Sequence, residues 1–290
     1  MRCVRCPTST STRSGDRRQA RPSRRLLDDK ILSQHERKTA VKIGIIGTGA
    51  IGTNLVRKLT KAGHSVRVAN SRGPETITDL ATETGATAVA AADAGQDVDV
   101  LILSTPLGKV PDLKPFIDRV PDHVVIADTS NYYPFRDGKI DAIENGQAES
   151  VWVEECLGRP VIRAWNALTQ HTLENKGAPK GTPGRLAIPV AGTDPAAKKT
   201  VSDLIDDTGF DAVDAGPIED SWRIQPGSPA YCTELTGEQL TRALDLADRE
   251  NDRLRREMVF PIVSTWPDAH GDDMVALVRA VARLPRLLGL

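Results

Sequence analysis

The stretch Val41-Lys42-Ile43-Gly44-Ile45-Ile46-Gly47-Thr48-Gly49-Ala50-Ile51-Gly52 decides the fold. It opens with a short apolar run that reads as a strand. A glycine loop of the form GxGxxG follows at once. Residues 53–62 then place Leu55, Val56 and Leu59 on one helical face, and Gly63 stands where a helix cap is expected. Ser65-Val66-Arg67-Val68-Ala69 is the next strand. Strand, glycine loop, helix and strand within about thirty residues make a βαβ unit.

The context gives the glycines their meaning. Gly47 allows a tight turn, Gly49 lets backbone approach a pyrophosphate, and Gly52 lets the helix pack close to the sheet. Thr48, Ala50 and Ile51 complete the loop, whose helix N-terminus offers unpaired N–H groups to phosphate oxygens. An NAD site normally carries Asp or Glu about 20 residues further on, bonded to the ribose 2′-hydroxyl. Here Asn70-Ser71-Arg72-Gly73 occupies that place. With no acid to repel a phosphate and a guanidinium to receive it, the expectation is NADPH over NADH. Ser104-Thr105-Pro106 ends a later strand and is expected to border the cofactor.

Further along, strands are expected at 98–103, 124–127, 160–164, 186–191 and 211–214. Helices are expected at 74–84, 139–157 and 196–207. This alternation predicts an α/β protein of the Rossmann type, with a doubly wound, mostly parallel sheet over residues 41–216. Residues 217–290 read as a small, mainly helical C-terminal lobe, with helical segments at 235–259 and 274–286. The apolar side of the last segment, with Val275, Leu277, Val278, Val281 and Leu284, is a candidate homodimer face.

Composition narrows the class. The 290 residues carry a formal net charge of −1, with 39% hydrophobic and 27% charged residues. That suits a globular protein with a sizeable core acting on a small molecule, and argues against nucleic acid as partner. No apolar run reaches the roughly 18 residues of a membrane span. Residues 1–40 hold eleven basic and four acidic residues without apolar periodicity, and read as a disordered basic extension. They lack the apolar core of a signal peptide, and a natural start would fall just before Val41. Cys3 and Cys6 form a CxxC with no second pair at zinc-ligand spacing, so no metal is expected. Cys156 and Cys232 stand alone, which fits a reducing cytoplasm.

Six segments resemble the NADPH-dependent reductases of coenzyme F-420, an 8-hydroxy-5-deazaflavin. They are the glycine loop, Asn70-Ser71-Arg72-Gly73-Pro74, Asp128-Thr129-Ser130-Asn131-Tyr132-Tyr133-Pro134, Arg163-Ala164-Trp165-Asn166, Pro189-Val190-Ala191-Gly192 and Asp214-Ala215-Gly216-Pro217-Ile218. The resemblance spans residues 41–244. It implies a small lobe closing over the nicotinamide, Ser71 and Arg72 on the 2′-phosphate, and Thr105, Pro106, Asn166 and Leu168 near nicotinamide and acceptor. The chain departs from the family at Asn166, where deazaflavin-reducing members can carry His, and in its Asn131-Tyr132-Tyr133 pattern. Fold and cofactor therefore transfer better than substrate.

Hydride transfer between flat rings needs orientation more than side-chain chemistry, which fits a chain without an obvious nucleophile and base. Asn131, Tyr132, Tyr133, Arg136, Asn166, Trp222, Arg223 and Tyr231 are the acceptor-site candidates: aromatics to stack, arginines to meet an acidic tail. Two alternatives stay open. One is an NADP-dependent hydroxyacid dehydrogenase or imine reductase, for which Lys176 and His171 are the available acid–base groups. The other is an NADPH sensor without turnover.

Overall fold

The computed structural model describes residues 39–265 and 271–283. The basic extension, its Cys3 and Cys6, and Leu284 lie outside the described residues.

Among those residues, six strands form one sheet in the order β3-β2-β1-β4-β5-β6, every neighbouring pair parallel. The strands are β1 (Lys42–Ile46), β2 (Ser65–Ala69), β3 (Thr87–Ala88), β4 (Val100–Leu103), β5 (Val125–Asp128) and β6 (Ile162–Arg163). This is the doubly wound order in which the chain builds outward from β1, returns, and builds outward on the other side through β4. The switch point between β1 and β4 opens a crevice at their carboxyl ends.

The pattern of β4 shows why the sheet is covered on both faces. All four of its residues are fully buried, and they alternate between two cores. Val100 and Ile102 pack with Ile43, Ile45, Leu55 and Leu59 of β1 and α1 (Ala50–Lys61). Leu101 and Leu103 pack with Ile126, Ile117, Val153 and Leu157 on the other side. At about 1.5–3 kcal/mol per buried Leu or Ile, such positions dominate the folding energy.

Several elements differ from the sequence expectation. Helix α1 begins at Ala50, inside the glycine loop, rather than at residue 53. The expected helix at 74–84 is a 3₁₀ turn, Pro74–Ile77, followed by α2 (Thr78–Thr84), which ends on left-handed Gly85. The expected helix at 139–157 is interrupted at Gly146, where φ is +97°; its main part is α3 (Glu149–Leu157). The next helix, α4 (Gln170–Asn175), is capped by the Thr169 hydroxyl. Strand β3 escaped the sequence reading because two residues carry no period.

The expected single sheet is in fact two. Strands β7 (Ala187–Val190) and β8 (Asp211–Asp214) form a separate parallel pair joined by α5 (Pro195–Asp207). One antiparallel bridge, Arg163 to Ala191, links it to the end of β6. Pro189 lies inside β7 and has no N–H to donate at that position. After a 3₁₀ segment at Ile218–Ile224, α6 (Gly237–Asp245) packs on β7 and β8. The expected helix at 235–259 is thus divided between α6 and α7 (Arg249–Thr265), with α8 (Gly271–Ala282) following.

The apolar side of α8 is not a free face. Val275, Val278 and Val281 are buried, and Val278 packs with Ala167, Tyr231 and Cys232 of the same chain. No described helix is long and apolar enough to cross a membrane.

One titratable group couples α7 to pH. Burial pushes the Asp252 carboxyl up to about 7, against the opposing pull of the Arg255 guanidinium. Its Oδ1 accepts from Arg255 Nη1 at 2.5 Å, and its carbonyl oxygen sits where a Cβ on Gly227 would fall, 2.1 Å away. An acid with a raised folded-state pKa stabilises fully below its unfolded value, near ~3.9, and loses that contribution as pH rises through the folded one. The thermal midpoint is expected to fall between pH 5 and pH 8, and Asp252→Asn to flatten that fall. A variant with the same slope as the parent would rule out Asp252 as its source.

Candidate functional site

The glycine loop is shaped by contacts that admit no side chain. A Cβ on Gly47, which has φ +113°, would lie 2.1 Å from Ser104 O; one on Gly52 would lie 2.0 Å from Gly47 O. Gly49 differs: a Cβ there would meet no protein atom within 4 Å. Gly49 is also the N-cap of α1, with no side-chain capping bond and no acid in the first turn. Uncapped helix amides facing open space form an anion cradle, and a pyrophosphate fits it.

The turn after β2 is built around Asn70. Its Oδ1 accepts from Arg72 N at 2.9 Å and its Nδ2 donates to Thr76 Oγ1 at 2.9 Å. Buried Asn70 therefore holds the turn, while Ser71 and Arg72 are left exposed at the strand end.

A cavity of about 420 Å³ adjoins the loop. Gly49, Ala50 and Ile51 line it from one side, and Ser104, Thr105 and Pro106 from the end of β4. Thr129, Ser130 and Asn131 follow β5, and Trp165, Asn166 and Leu168 follow β6. Its far wall carries Tyr133, Tyr231, Cys232, Arg256 and Phe260, and α8 closes it with Met274, Val278 and Val281. Among the described residues, Thr105 Oγ1, Ser130 Oγ and Asn166 Oδ1 are buried without a hydrogen-bond partner. With Arg256 Nε, also unpartnered, four unsatisfied polar atoms belong to the walls of a mostly apolar cavity, and they call for a ligand with matching polar groups, such as the carboxamide of a nicotinamide.

Beneath the cavity lies a buried charge cluster that sequence reading missed. Arg163, Asp128 and Glu149 are all fully buried. Arg163 Nη1 donates to Asp128 Oδ2 at 2.7 Å, and Nη2 donates to Glu149 Oε2 at 2.7 Å and to Asn131 Oδ1 at 3.1 Å. Burial works against the guanidinium charge, but the two carboxylates outweigh it and hold its pKa above the ordinary value. Burial pushes the Glu149 carboxyl up, and Arg163 opposes that shift. The cluster orients Asn131, which in turn meets Asn166: Asn166 Nδ2 donates to Asn131 Oδ1 at 3.2 Å and to Ile224 O at 2.7 Å. Trp165, with φ +53°, turns the chain so that Asn166 reaches the cavity. Such a backbone state costs about 1–3 kcal/mol and is held here by core packing around the fully buried indole.

The expected site residues divide cleanly. Gly49, Ala50, Ile51, Ser104, Thr105, Pro106, Asn131, Tyr133, Arg136, Asn166, Leu168 and Tyr231 line the cavity. Gly47, Thr48, Gly52, Asn70, Ser71, Arg72 and Gly73 do not; they form the adjoining loop and the β2 turn. Three acceptor candidates are corrected. Tyr132 is fully buried in the second core, its hydroxyl accepts from Ile140 N, and it does not line the cavity. Trp222 stacks under Arg249 at 4.6 Å, away from the cavity. Arg223 donates to Ala215 O at 2.6 Å. The acid–base groups of the hydroxyacid reading lie off the cavity too. Lys176 is ion-paired with Glu234 and Asp272, and the His171 ring meets Asn175. Cys232, Arg256, Phe260 and the α8 residues had no local motif to announce them.

The fold and site together define an α/β protein of the Rossmann type with a half-open cavity beside the glycine loop, at the carboxyl ends of the strands. Residues 42–132 match the family described as NADP oxidoreductase coenzyme F420-dependent, a match that covers β1 to β5 of the six-stranded sheet and stops at Tyr132. The protein YjhV of Escherichia coli (strain K12) is 42% identical over 88 residues, 30% of this chain and 64% of that protein. The chain thus spans less than two thirds of that relative. A solved hypothetical protein, SMa0349 from Sinorhizobium meliloti, is 29% identical with a TM-score of 0.59, over 70% of this chain and 98% of that one. A candidate F420-dependent NADP-reductase from Arthrobacter sp. FB24 is 21% identical with a TM-score of 0.53, over 62% and 86% of the two chains.

Proposed function

We propose that this chain is an NADPH-dependent oxidoreductase that passes a hydride to a small acceptor held in the cavity. The observation that carries the reading is the Gly49 cradle at the N-terminus of α1, opening onto a cavity lined with unsatisfied polar atoms. The α1 amides would hold the diphosphate, and Ser71 with Arg72 the 2′-phosphate. Thr105, Ser130 and Asn166 would orient the nicotinamide, the ring that supplies the hydride. The chain's own contribution is to fix the two reacting partners and exclude water.

The family match over residues 42–132 makes a deazaflavin the first acceptor to test. Carbonyl and imine compounds come second. The test is NADPH oxidation followed by absorbance across such a panel, beside NADPH binding by fluorescence. A sensor would bind without turnover.

Cofactor choice has its own test. Arg72→Ala is expected to weaken NADPH by about tenfold to hundredfold, the value of a charge-assisted phosphate contact, and to leave NADH affinity within about twofold. Equal losses for both dinucleotides would remove Arg72 from the phosphate site.

A further inference from the structure

The far wall of the cavity carries two phenols in direct contact. The Tyr133 and Tyr231 hydroxyls hydrogen-bond one another, and both residues line the cavity. Two hydroxyls sharing one hydrogen bond use one O–H as donor and leave the other uncommitted. Tyr231 also has a hydrogen-bonding contact with the Cys232 thiol, whose sulfur is a weak acceptor. Around them stand apolar neighbours. The Tyr133 ring packs against Phe260 at 5.1 Å and Phe135 at 5.7 Å. On this wall the two hydroxyls share the aromatic surroundings with the Cys232 thiol and with the Arg256 guanidinium, which lies 5.9 Å from the Phe260 ring.

From this geometry we infer that the Tyr133–Tyr231 pair is the proton donor of the reaction, and that the acceptor is a carbonyl compound whose oxygen takes that proton. The inference rests on the hydride-transfer reading above. Reduction of an isolated carbonyl concentrates negative charge on one oxygen, which demands a proton close by. A deazaflavin spreads the same charge over its ring nitrogen and carbonyl oxygens and makes little such demand.

The balance is simple. The carbonyl carbon receives the hydride pair from the reduced nicotinamide, forming a C–H bond as the nicotinamide C–H bond breaks. The carbonyl π pair moves to oxygen, and oxygen takes the phenolic proton. An alcohol, NADP⁺ and a phenolate remain, and water reprotonates the phenolate through the second hydroxyl. Both phenols are protonated at neutral pH, and burial raises their pKa, so the phenolate left by proton transfer has to be stabilised by its surroundings. Burial likewise pushes the Cys232 thiol up to about 12, so no thiolate competes for the proton. The Arg136 guanidinium, 4.8 Å above the Tyr133 ring, lowers the cost of the transient phenolate.

The experiment compares the parent with Tyr133→Phe, Tyr231→Phe and the double variant. Substrates are a ketone and aldehyde panel and an N-alkylated cyclic iminium, which is reduced without needing a proton. NADPH affinity is measured by fluorescence and folding by thermal midpoint. The double variant is expected to lose about a hundredfold or more in kcat for carbonyls, as removal of a general acid does, with NADPH affinity and iminium reduction retained. Because the hydroxyls act as a unit, the double loss should not exceed the larger single loss by more than a fewfold. Binding gives an independent readout. In the NADPH complex, 2-piperidone, an unreactive carbonyl mimic, should lose about tenfold in affinity in the double variant. Carbonyl turnover within threefold of the parent, or unchanged 2-piperidone binding, overturns the inference, as does a parent that binds NADPH but reduces no carbonyl. If the double variant fails to fold, the single variants carry the same comparison. A parent that binds no NADPH instead overturns the function reading itself.

Discussion

Gly49→Ala is expected to leave the thermal midpoint unchanged and to weaken NADPH by about tenfold to hundredfold, whereas Gly52→Ala loses both stability and binding. The two glycines stand three residues apart yet meet different surroundings. At Gly49 the backbone is extended, with φ −71° and ψ −175°, which alanine adopts freely, and the added methyl would meet no protein atom. Its only cost is to a ligand that needs that space. At Gly52 the methyl would fall 2.0 Å from the Gly47 carbonyl oxygen and 3.2 Å from Ser104 Cβ. The loop would have to move off the end of β4, at about 1–3 kcal/mol for an overpacked core position. Thermal midpoints and NADPH titrations of both variants decide it. If Gly49→Ala binds NADPH as the parent does, the pyrophosphate does not lie against α1.

Arg163→Met is expected to be the most destabilising single substitution, at about 3–5 kcal/mol, because it leaves two fully buried carboxylates without their cation. The sign of its pH dependence follows. The Glu149 carboxyl is already raised by burial, and losing Arg163 removes what opposes that shift. A raised folded-state pKa favours the fold at acid pH and withdraws that support as pH climbs through it. The variant should therefore lie closer to the parent at pH 5 than at pH 8. Denaturant titrations at both values check this, and a larger deficit in acid would contradict it. Replacing all three charged residues by apolar ones of similar volume should cost far less than Arg163→Met alone.

Much of this arrangement was legible in the chain itself. The glycine loop, the missing acid after β2 and the alternation of strands predict the fold and the face on which a ligand sits, because backbone geometry and helix-end electrostatics act over a few residues. The same holds for Asn131, Asn166 and the Thr105-Pro106 turn, which follow strand ends. What escaped depends on distant pairing. Asp128, Glu149 and Arg163 meet only when β5, α3 and β6 come together. Nothing near Tyr132 distinguishes it from Tyr133, although one faces the core and the other the cavity. The separate pairing of β7 with β8 left no local mark, and α7 and α8 supply part of the cavity wall with residues that resemble any amphipathic helix.

The position of α8 separates the cavity's roof from the glycine loop along the chain. Met274, Val278 and Val281 roof the cavity from near the end of the chain, while every residue proposed to grip the diphosphate precedes Arg72. A polypeptide interrupted after α7 would retain the grip and lack the roof. Water would then reach the nicotinamide face, and a stable dinucleotide complex would form in a protein unable to shelter the transfer. Under the proposed function, the grip on NADPH and the shelter for the transfer would thus come from segments far apart in the chain.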